Sequence, residues 1–531
     1  MKQLFINGNI HTFNRLMPVV ESVVVENGRI IDLGSTDDML LQWGRSGHQI
    51  IDLDEKTVTP GLIDSHLHLS GIAGNYLNLD LTSLTSKKEL LNKLKEKADK
   101  LSEHDWLLGR GWDENLFTDG DIPTIKELDF VAPHVPLFLP RICGHAFLVN
   151  SKALERVNYH SNISVPEGGL IELDNQTKQP TGLLLETAST LIEKHIPEAS
   201  YDETKRAMRK AIKLAIRNGL TSVHTNDPLN LGGLTYTYNL FDELINQEQM
   251  LLRCNLLINH EFIEEIKDLG FYTGFGNDSL KIGAIKIFSD GALGRRTAHL
   301  SKPYSDETST YGESIYNEET LYNIINNTRH LHMPVAIHTI GDQALENVLD
   351  ILDQFPLTPY RDRLIHVQVL REDLIQRLAE PGRCADIQPR FLAGDFPWVQ
   401  NRLGDKRMEK SYAWKSLLDA GVLCSGGSDA PVEPVNPLLG IHAAVTRKLP
   451  KEMHNGYNQQ EKLSIYDAFK LFTVFGAYPT NEETIKGTIE RGKLADMTVY
   501  SKNPFTMKDP DDLLNLDIDM TIIGGKVAYS R

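Results

Sequence analysis

Short apolar runs alternate with segments of helical periodicity through the middle of the chain. Eight of these runs have the length of a buried strand and lie at residues 58–66, 220–225, 252–258, 282–288, 335–338, 363–367, 385–388 and 422–425. Strands that alternate with helices in this way form parallel sheets with helices packed outside. Because eight such strands can close on themselves, the pattern predicts an α/β fold of the (β/α)8 TIM-barrel type.

Both ends of the chain follow a different pattern, in which short alternating strands are separated by tight turns. Asn27-Gly28 and Gly524-Gly525 each stand between two apolar, alternating runs. These turn residues tolerate positive φ and are typical of β-hairpins. Since isolated hairpins are marginally stable and chain ends often lie close together, we predict that both ends build one discontinuous β-sandwich.

The two patterns divide the chain. We assign residues 1–57 and 481–531 to the β-sandwich and residues 58–480 to the barrel, with an inserted subdomain at about 71–201. This interval is too long for a barrel loop and contains apolar runs of its own. Because it follows the first strand, we expect it to emerge at the catalytic end of the barrel and to act as a lid.

Cap residues and apolar spacing predict a helix directly before the second predicted strand. Asp202 is a possible N-cap, and Gly219 stands just past the end. Between them, apolar residues recur at helical spacing, at Met208, Ala211, Ile212 and Ala215. We predict that this is the first barrel helix.

Composition and charge narrow the function classes. The chain is 41% hydrophobic and carries a formal net charge of −17, which opposes binding to nucleic acid or to an anionic membrane surface. We therefore expect a small-molecule substrate. The cysteines form no CxxC pair and suggest neither a disulfide framework nor a thiolate zinc site; they are Cys143, Cys254, Cys384 and Cys424.

We expect the protein to be cytoplasmic, from its first residues and from its apolar stretches. The first residues, MKQLFINGNIHTF, alternate like a strand and do not resemble a signal peptide. The sequence also contains no apolar stretch of the length that spans a bilayer, about 18 residues or more.

Histidines stand at the ends of the predicted strands. His66 and His68 end the first strand two residues apart, and such residues point the same way in a strand. Both imidazoles can therefore reach one metal ion at the end of the barrel that carries chemistry. His338, His366 and Asp429 follow later strands. Each alone could be a polar core residue, but together they predict a metal site.

Lys286 lies inside the apolar run at 282–288. Burial lowers the pKa of an amine and leaves it neutral and nucleophilic, so that it can add carbon dioxide. The resulting carbamate has two oxygens that can bridge two cations, whose charge would stabilise it. The alternative is a lysine paired with the nearby Asp290.

These residues lie in stretches that resemble the amidohydrolase superfamily, and within it the YtcJ-like group that includes N-substituted formamide deformylases. The similar stretches are TPGLIDSHLHL, GAIKIFSDGALGRRTA, VAIHTIGDQA, LIHVQ, CSGGSDAPV and GTIERGKLADMTVY. The resemblance spans nearly the whole chain.

The resemblance implies a binuclear metal site. His66 and His68 would hold one metal, His338 and His366 the second, and carboxylated Lys286 would bridge them, while Asp429 would contact the first. Zinc is the usual metal of the family and suits N and O ligands, although manganese, iron and cobalt suit them too. We expect two Zn²⁺ per chain.

The expected reaction is hydrolysis of an amide-type C–N bond, with N-substituted formamides among the candidate substrates. A metal-activated hydroxide would attack the carbonyl carbon, with Asp429 first as general base and then as general acid. His145, in the inserted segment, could hydrogen-bond the substrate or the oxyanion. It could equally well order its own loop.

Further residues could face the substrate. They are Trp112, Asp113, Asp290, Arg295 and Arg296. An arginine there could pair with a substrate carboxylate through its planar fork, or it could form a salt bridge to a loop acid.

Two other functions remain open at this point. One is a heterocycle deaminase or cyclic amidase of the same superfamily. Deaminases commonly carry a Glu three residues after the fifth-strand histidine, where this chain has Gly341. The other is a noncatalytic metal-binding barrel, which the intact set of ligands disfavours. Loop shapes decide the substrate. A homodimer is expected from the superfamily alone.

Overall fold

The computed structural model describes residues 2–44, 47–82, 84–119, 122–141, 146–160, 163–166 and 169–531. The chain forms two compact units, one built from Met1–Gly71 with Ile212–Arg531 and the other from Ile72–Ala211. Among the helices described, none is long and apolar enough to cross a bilayer.

The strands, in chain order, are β1 (Lys2–Ile6), β2 (Asn9–His11), β3 (Val19–Val20), β4 (Ser22–Glu26), β5 (Arg29–Gly34), β6 (Gln49–Asp52), β7 (Thr57–Pro60), β8 (Leu62–Leu67), β9 (Leu79–Asp80), β10 (Leu107–Arg110), β11 (Leu137–Pro140), β12 (Ala146–Val149), β13 (Leu170–Leu173), β14 (Pro180–Leu185), β15 (Leu220–Asn226), β16 (Arg253–Asn259), β17 (Leu280–Phe288), β18 (Val335–Thr339), β19 (Asp362–His366), β20 (Arg383–Ile387), β21 (Cys424–Gly426), β22 (Met497–Tyr500), β23 (Ile518–Ile523) and β24 (Lys526–Ser530).

The α-helices are α1 (Thr36–Trp43), α2 (Leu69–Leu77), α3 (Lys87–Ala98), α4 (Ile125–Val131), α5 (Ser151–Arg156), α6 (Thr190–Glu193), α7 (Tyr201–Arg217), α8 (Leu234–Asp242), α9 (Ile263–Leu269), α10 (Glu318–His330), α11 (Asp342–Leu352), α12 (Glu372–Leu378), α13 (Pro389–Asp395), α14 (Trp398–Leu403), α15 (Asp405–Met408), α16 (Trp414–Asp419), α17 (Pro437–Thr446) and α18 (Ile465–Leu471).

Strands from both ends of the chain share one sheet, as the alternating patterns predict. Its order is β24-β23-β22-β7-β2-β3, and a second sheet has the order β5-β4-β1-β6. Both predicted hairpin turns form, because Asn27, Gly28, Gly524 and Gly525 all adopt positive φ. Apolar side chains of both chain ends, among them Phe5 and Met497, pack into one buried cluster.

The barrel is a parallel sheet of eight strands in the order β21-β20-β19-β18-β17-β16-β15-β8. Each of the eight predicted runs overlaps one of these strands, so the predicted barrel is confirmed. The first run is corrected, because residues 58–66 are divided at Gly61 between β7 of the terminal sheet and β8 of the barrel. A Cβ at Gly61 would lie 2.3 Å from Thr221 Oγ1, so a glycine is needed where the chain enters the barrel.

The predicted helix before the second barrel strand is α7, with one correction at its start. The N-cap is Ser200 rather than Asp202, because Ser200 Oγ accepts a hydrogen bond from Glu203 N at 3.3 Å. The Glu203 carboxylate in turn accepts from Ser200 N at 3.0 Å, which completes a capping box. Gly219, after the helix, has φ +85° and a conformation that favours glycine.

The inserted unit has its own mixed sheet, in the order β13-β14-β12-β11-β10-β9. Helices α3 to α6 belong to the same unit. Two apolar clusters fill it, one around Leu94 and Leu137 and the other around Phe147 and Leu184. Because this unit has apolar clusters of its own, it has the character expected of an inserted subdomain. Its role as a lid stays a prediction.

Candidate metal centre

The residues singled out as metal ligands lie at the carboxyl ends of the barrel strands. His66 is in β8 and His68 follows it, Lys286 is in β17, His338 in β18, His366 ends β19, and Asp429 comes three residues after β21. In a parallel barrel all carboxyl ends face the same mouth. The sequence pattern therefore predicts their meeting, and the structure shows how close they come.

Distances confirm that these side chains form one cluster. His66 Nε2 lies 3.3 Å from Lys286 Nζ and 3.5 Å from Asp429 Oδ1. His68 Nε2 lies 3.2 Å from the same carboxylate oxygen. The ring centroids of His338 and His366 are 4.5 Å apart. One potential ligand atom from each of His66, His366 and Asp429 lies within 4.8 Å of the others, so these three form a candidate metal-binding group.

The imidazoles are oriented by acceptors outside the cluster. His68 Nδ1 lies 2.6 Å from the Asn226 carbonyl oxygen, and His338 Nε2 lies 3.1 Å from the Gly291 carbonyl oxygen. Because a carbonyl oxygen only accepts, each of these ring nitrogens carries the proton and the other keeps its lone pair.

His366 follows the same logic, with Nδ1 at 2.6 Å from Gln388 Oε1. In three of the four histidines, one ring nitrogen is thus left as a metal-ligand lone pair. Such outer hydrogen bonds are typical of metal-ligating histidines.

Lys286 is almost fully buried, with 1% of its surface exposed. Burial lowers the pKa of its amine to about 8. Its Nζ lies 4.7 Å from the centroid of the Phe288 ring. The alternative pairing with Asp290 is not formed among the described residues, because the Asp290 carboxylate accepts backbone N–H groups of His299, Ile340 and Gly341 instead.

Burial keeps most of the imidazoles neutral. It places the pKa values of His66 and His338 well below their ordinary value and that of His366 at about 4. Neutral imidazoles are the form that binds metals. For His68 burial also lowers the pKa, but the Asp429 carboxylate more than offsets this and the net shift is upward.

The Asp429 carboxyl is shifted in the opposite direction. Burial alone would raise its pKa, yet the interactions with His68, His366 and Lys286 lower it below the usual value. The group is therefore ionised at neutral pH. It is also held in left-handed backbone, with φ +54°, and His366 has φ +77°. Such conformations cost about 1–3 kcal/mol for non-glycine residues and cluster at functional sites.

The proposed substrate-contacting residues have structural partners of their own. Within the inserted unit, Trp112 Nε1 donates to the Leu139 carbonyl at 2.8 Å, and Asp113 pairs with Arg141 at 2.7 Å. Arg296 pairs with Asp306 at 3.1 Å, which is the loop-acid alternative, and Arg295 is exposed.

One predicted residue, His145, lies outside the described residues, as does Cys143. The other cysteines are buried and free. The substrate contacts of Trp112, Asp113, Asp290, Arg295 and Arg296 stay predictions.

The partners that orient the imidazoles were not found from the sequence. Asn226 ends β15 and Gln388 follows β20, so each is a polar residue at the carboxyl end of a barrel strand. That position is the same signal that singled out the histidines. Asp64, in the middle of β8, also supports the site, because its Oδ1 accepts hydrogen bonds from the backbone N–H groups of His66 and Ser428. It gives no such signal in the sequence, since these contacts depend on the fold.

Comparison with known proteins places the chain among metal-dependent hydrolases. The model of the amidohydrolase family matches residues 49–529. The chain is 41% identical to "Putative amidohydrolase YtcJ" of Bacillus subtilis, over all of both chains. It is 26% identical to the N-substituted formamide deformylase of Arthrobacter pascens, over 99% of this chain and 98% of that protein.

Among solved structures, an uncharacterized metal-dependent hydrolase from Pyrococcus furiosus is similar with a TM-score of 0.77 and 28% identity. The match covers 95% of this chain and all of that one.

Proposed function

This chain belongs to the amidohydrolase family, and from that premise we propose that it hydrolyses an amide-type C–N bond of a small molecule with the help of bound divalent metal. The observation that carries the proposal is the convergence of four imidazoles, a buried lysine and a carboxylate at one end of the barrel. The imidazole lone pairs left by Asn226, Gly291 and Gln388 support metal binding there.

The residues of the cluster fit two metal ions of the zinc type. His66 and His68 would hold one ion together with Asp429, and His338 and His366 would hold the second. Lys286, carboxylated, would bridge the two. Asp429 Oδ1 supports this assignment, because it is buried and has no hydrogen-bond donor among the described residues. A buried carboxylate oxygen of that kind needs a cation.

Divalent metals, when bound at such sites, polarise a carbonyl group and lower the pKa of water toward neutrality. The proton of the attacking water goes to Asp429, whose ionised carboxylate is ready to accept it. The protonated Asp429 carboxyl group then donates this proton to the leaving nitrogen, so that one residue acts as base and afterwards as acid. His68 Nε2 lies 3.2 Å from Asp429 Oδ1, close enough for both atoms to be ligands of one ion.

N-substituted formamides are the first substrate class to test, since a relative that covers nearly the whole chain is named for their deformylation. Other N-substituted amides, cyclic amides and esters complete the panel. The exposed Arg295 would favour substrates that carry a carboxylate.

The deaminase alternative is less well supported by the fifth-strand loop. Gly341 offers no carboxylate, and its N–H donates to Asp290 at 2.8 Å. The next residue, Asp342, accepts from Ser301 N at 2.9 Å and from Arg371 Nη1 at 3.2 Å. Its two oxygens are thus engaged by neighbouring loop residues, which argues against a role in protonating a heterocycle.

Metal content and chelator-sensitive hydrolysis, measured together, test the proposal. Protein purified without chelator and supplied with Zn²⁺ and bicarbonate should contain about two metals per chain and should hydrolyse members of the amide panel. His366→Asn should lower both metal content and turnover. His442→Asn is the matched control, because His442 is equally buried but bonds Asp511 at 2.8 Å. A metal-free protein, or turnover that chelators do not affect, would refute the proposal.

A further inference from the structure

The barrel sheet has a seam between β21 and β8, next to the candidate metal centre. Ladder pairing connects each barrel strand to the next from β8 to β21, but in the described part of the chain no ladder joins β21 back to β8. His66 and His68 stand on one side of this seam and Asp429 on the other. The geometry of the first proposed metal subsite therefore depends on whatever holds the seam together.

Backbone hydrogen bonds connect the two sides of the seam at the carboxyl ends of its strands. Asp429 N donates to the His66 carbonyl at 2.7 Å, and His68 N donates to the Ala430 carbonyl at 2.8 Å. The Asp64 carboxylate adds a bridge, since its Oδ1 accepts from His66 N at 3.2 Å and from Ser428 N at 3.1 Å. Gly427 allows this close approach.

A buried ion pair inside the barrel also contacts β8, at Ser65, the residue before His66. Arg363 in β19 donates through Nη2 both to the Ser65 carbonyl of β8 and to the Asp386 carboxylate of β20. Ser65 Oγ also donates to Asp386. Ser425 of β21 reaches the same carboxylate at 3.3 Å. One arginine–aspartate pair thus links β8 to the other side of the seam.

Stability alone does not explain this pair. Arg363 is 1% exposed and Asp386 is not exposed at all. Burying two charges carries a desolvation cost that apolar residues of similar volume avoid, and barrel interiors are typically filled by branched aliphatic side chains. The pair also touches Ser65, the residue directly before His66, which points to a role in placing the ligands.

We propose that Arg363 and Asp386 are positioning residues that hold Ser65, and with it the His66-x-His68 segment, at the distance from Asp429 that one metal ion requires. This inference rests on the proposed metal function. His338 and His366 are oriented by hydrogen bonds to other groups, the Gly291 carbonyl and Gln388 Oε1, which do not involve the Arg363 or Asp386 side chains. Loss of the pair should therefore weaken the subsite of His66, His68 and Asp429 and leave the other subsite nearly intact.

The double variant Arg363→Met/Asp386→Leu tests the proposal on the full chain. Replacing both partners of a buried pair by apolar residues is often neutral for stability, whereas removing one partner is strongly destabilising. We expect an unfolding midpoint close to that of the wild type. In a chelator competition, however, the Zn²⁺ of the subsite formed by His66, His68 and Asp429 should bind about tenfold more weakly or worse. The absorption spectrum of the Co²⁺-loaded protein should change as well, because it reports ligand geometry.

Arg253→Met/Asp496→Leu is the matched control. This pair is also buried, with Arg253 Nε at 2.6 Å from Asp496 Oδ2, but it lies at the amino-terminal end of β16. The control should keep the wild-type zinc affinity and the Co²⁺ spectrum. If the first double variant does not fold, Arg363→Gln/Asp386→Asn, which removes both charges together and keeps polar side chains, is measured in the same way.

The outcomes separate this inference from the proposed function. Zinc affinity and a Co²⁺ spectrum equal to those of the wild type in the folded variant would overturn the positioning role alone. Equal losses in the control pair would also overturn it, because any buried pair would then have the same effect. A wild-type chain that binds no divalent metal would overturn both proposals.

Discussion

At the scale of single residues, Asp429 combines a lowered pKa with a buried oxygen that accepts no hydrogen bond from the described residues. Its pKa is below the usual value although burial opposes this. We predict that Asp429→Asn lowers turnover by about 10²- to 10⁴-fold, the usual contribution of a general acid–base group. The measurement is kcat on an amide substrate, with metal content determined on the same sample.

The metal content decides how this result is understood. Asn retains one ligand oxygen, so a variant that keeps its metal and loses its rate supports proton transfer by Asp429. A near-normal rate with metal bound would contradict the role. A parallel loss of metal and rate would show that Asp429 acts as a ligand, without evidence for proton transfer.

Asp395 permits a prediction about pH and stability that is separate from the metal centre. Burial raises the pKa of its carboxyl to about 6, while Tyr412 OH and Gln368 Nε2 donate to it at 2.6 and 3.1 Å. The folded state therefore binds this proton more tightly than the unfolded state, where the pKa is about 3.9. The free energy of unfolding should fall as pH rises from about 4 to about 6, by roughly 2–3 kcal/mol in total.

Asp395→Asn should remove this part of the pH dependence, because the amide oxygen can still accept both hydrogen bonds and carries no charge. Urea unfolding midpoints from pH 4 to 8 measure the effect. The exposed Asp268 offers a control, and Asp268→Asn should leave the wild-type curve unchanged. A curve for Asp395→Asn that matches the wild type would refute the prediction.

At the scale of elements, the strands were predictable because local pattern determines them. A buried parallel strand is typically a short apolar run, and each of the eight barrel strands overlaps a run that was singled out in this way. The division of the first run at Gly61 was not predictable, since it depends on contact with Thr221, a residue distant in sequence. The cap of α7 was placed two residues too late, because Ser200 and Asp202 are both good caps and only the fold decides between them.

The site was predictable to the same extent as its strands. Histidines and Asp429 at strand ends revealed the cluster, since the carboxyl ends of barrel strands share one mouth. The arginine–aspartate pair below it was not predictable. Arg363 and Asp386 lie within strands, and their meeting with Ser65 depends on how three strands are placed across the barrel interior.

Gly427 gives a prediction at this scale, because it lies where β21 approaches β8. A Cβ there would lie 2.7 Å from His66 N and 3.0 Å from His66 O. We predict that Gly427→Ala separates the seam, lowers stability by about 1–3 kcal/mol and weakens zinc binding. Unfolding midpoints and zinc competition measure both effects.

Gly74 in α2 provides the matched control, because a Cβ built there meets no atom within 4 Å beyond its chain neighbours and the adjoining backbone of its own helix. Gly74→Ala should be neutral or stabilising by up to about 1 kcal/mol, since alanine favours the helix. A Gly427→Ala protein with the zinc affinity of the wild type would show that the seam tolerates the added methyl group.

At the scale of the whole molecule, the two units differ in their expected response to metal. All candidate ligands belong to the unit of Met1–Gly71 and Ile212–Arg531, and they come from β8, β17, β18, β19 and the segment after β21. A metal ion bound only by the folded state stabilises it by RT ln(1 + [L]/Kd), about 2.7 kcal/mol at a hundredfold excess over Kd. The strands that hold the ligands should gain this protection first.

Hydrogen–deuterium exchange of the zinc-loaded and chelator-treated protein measures the response strand by strand. We predict slower exchange with zinc in β8, β18 and β19, and little change in β11 and β12 of the inserted unit, which contains none of the described candidate ligands. His366→Asn should reduce the difference, most strongly in β18 and β19, because the subsite of His338 and His366 loses one of its ligands. Equal protection of β11 and β12 would mean that metal binding orders the inserted unit as well, and it would contradict a stabilisation confined to the barrel.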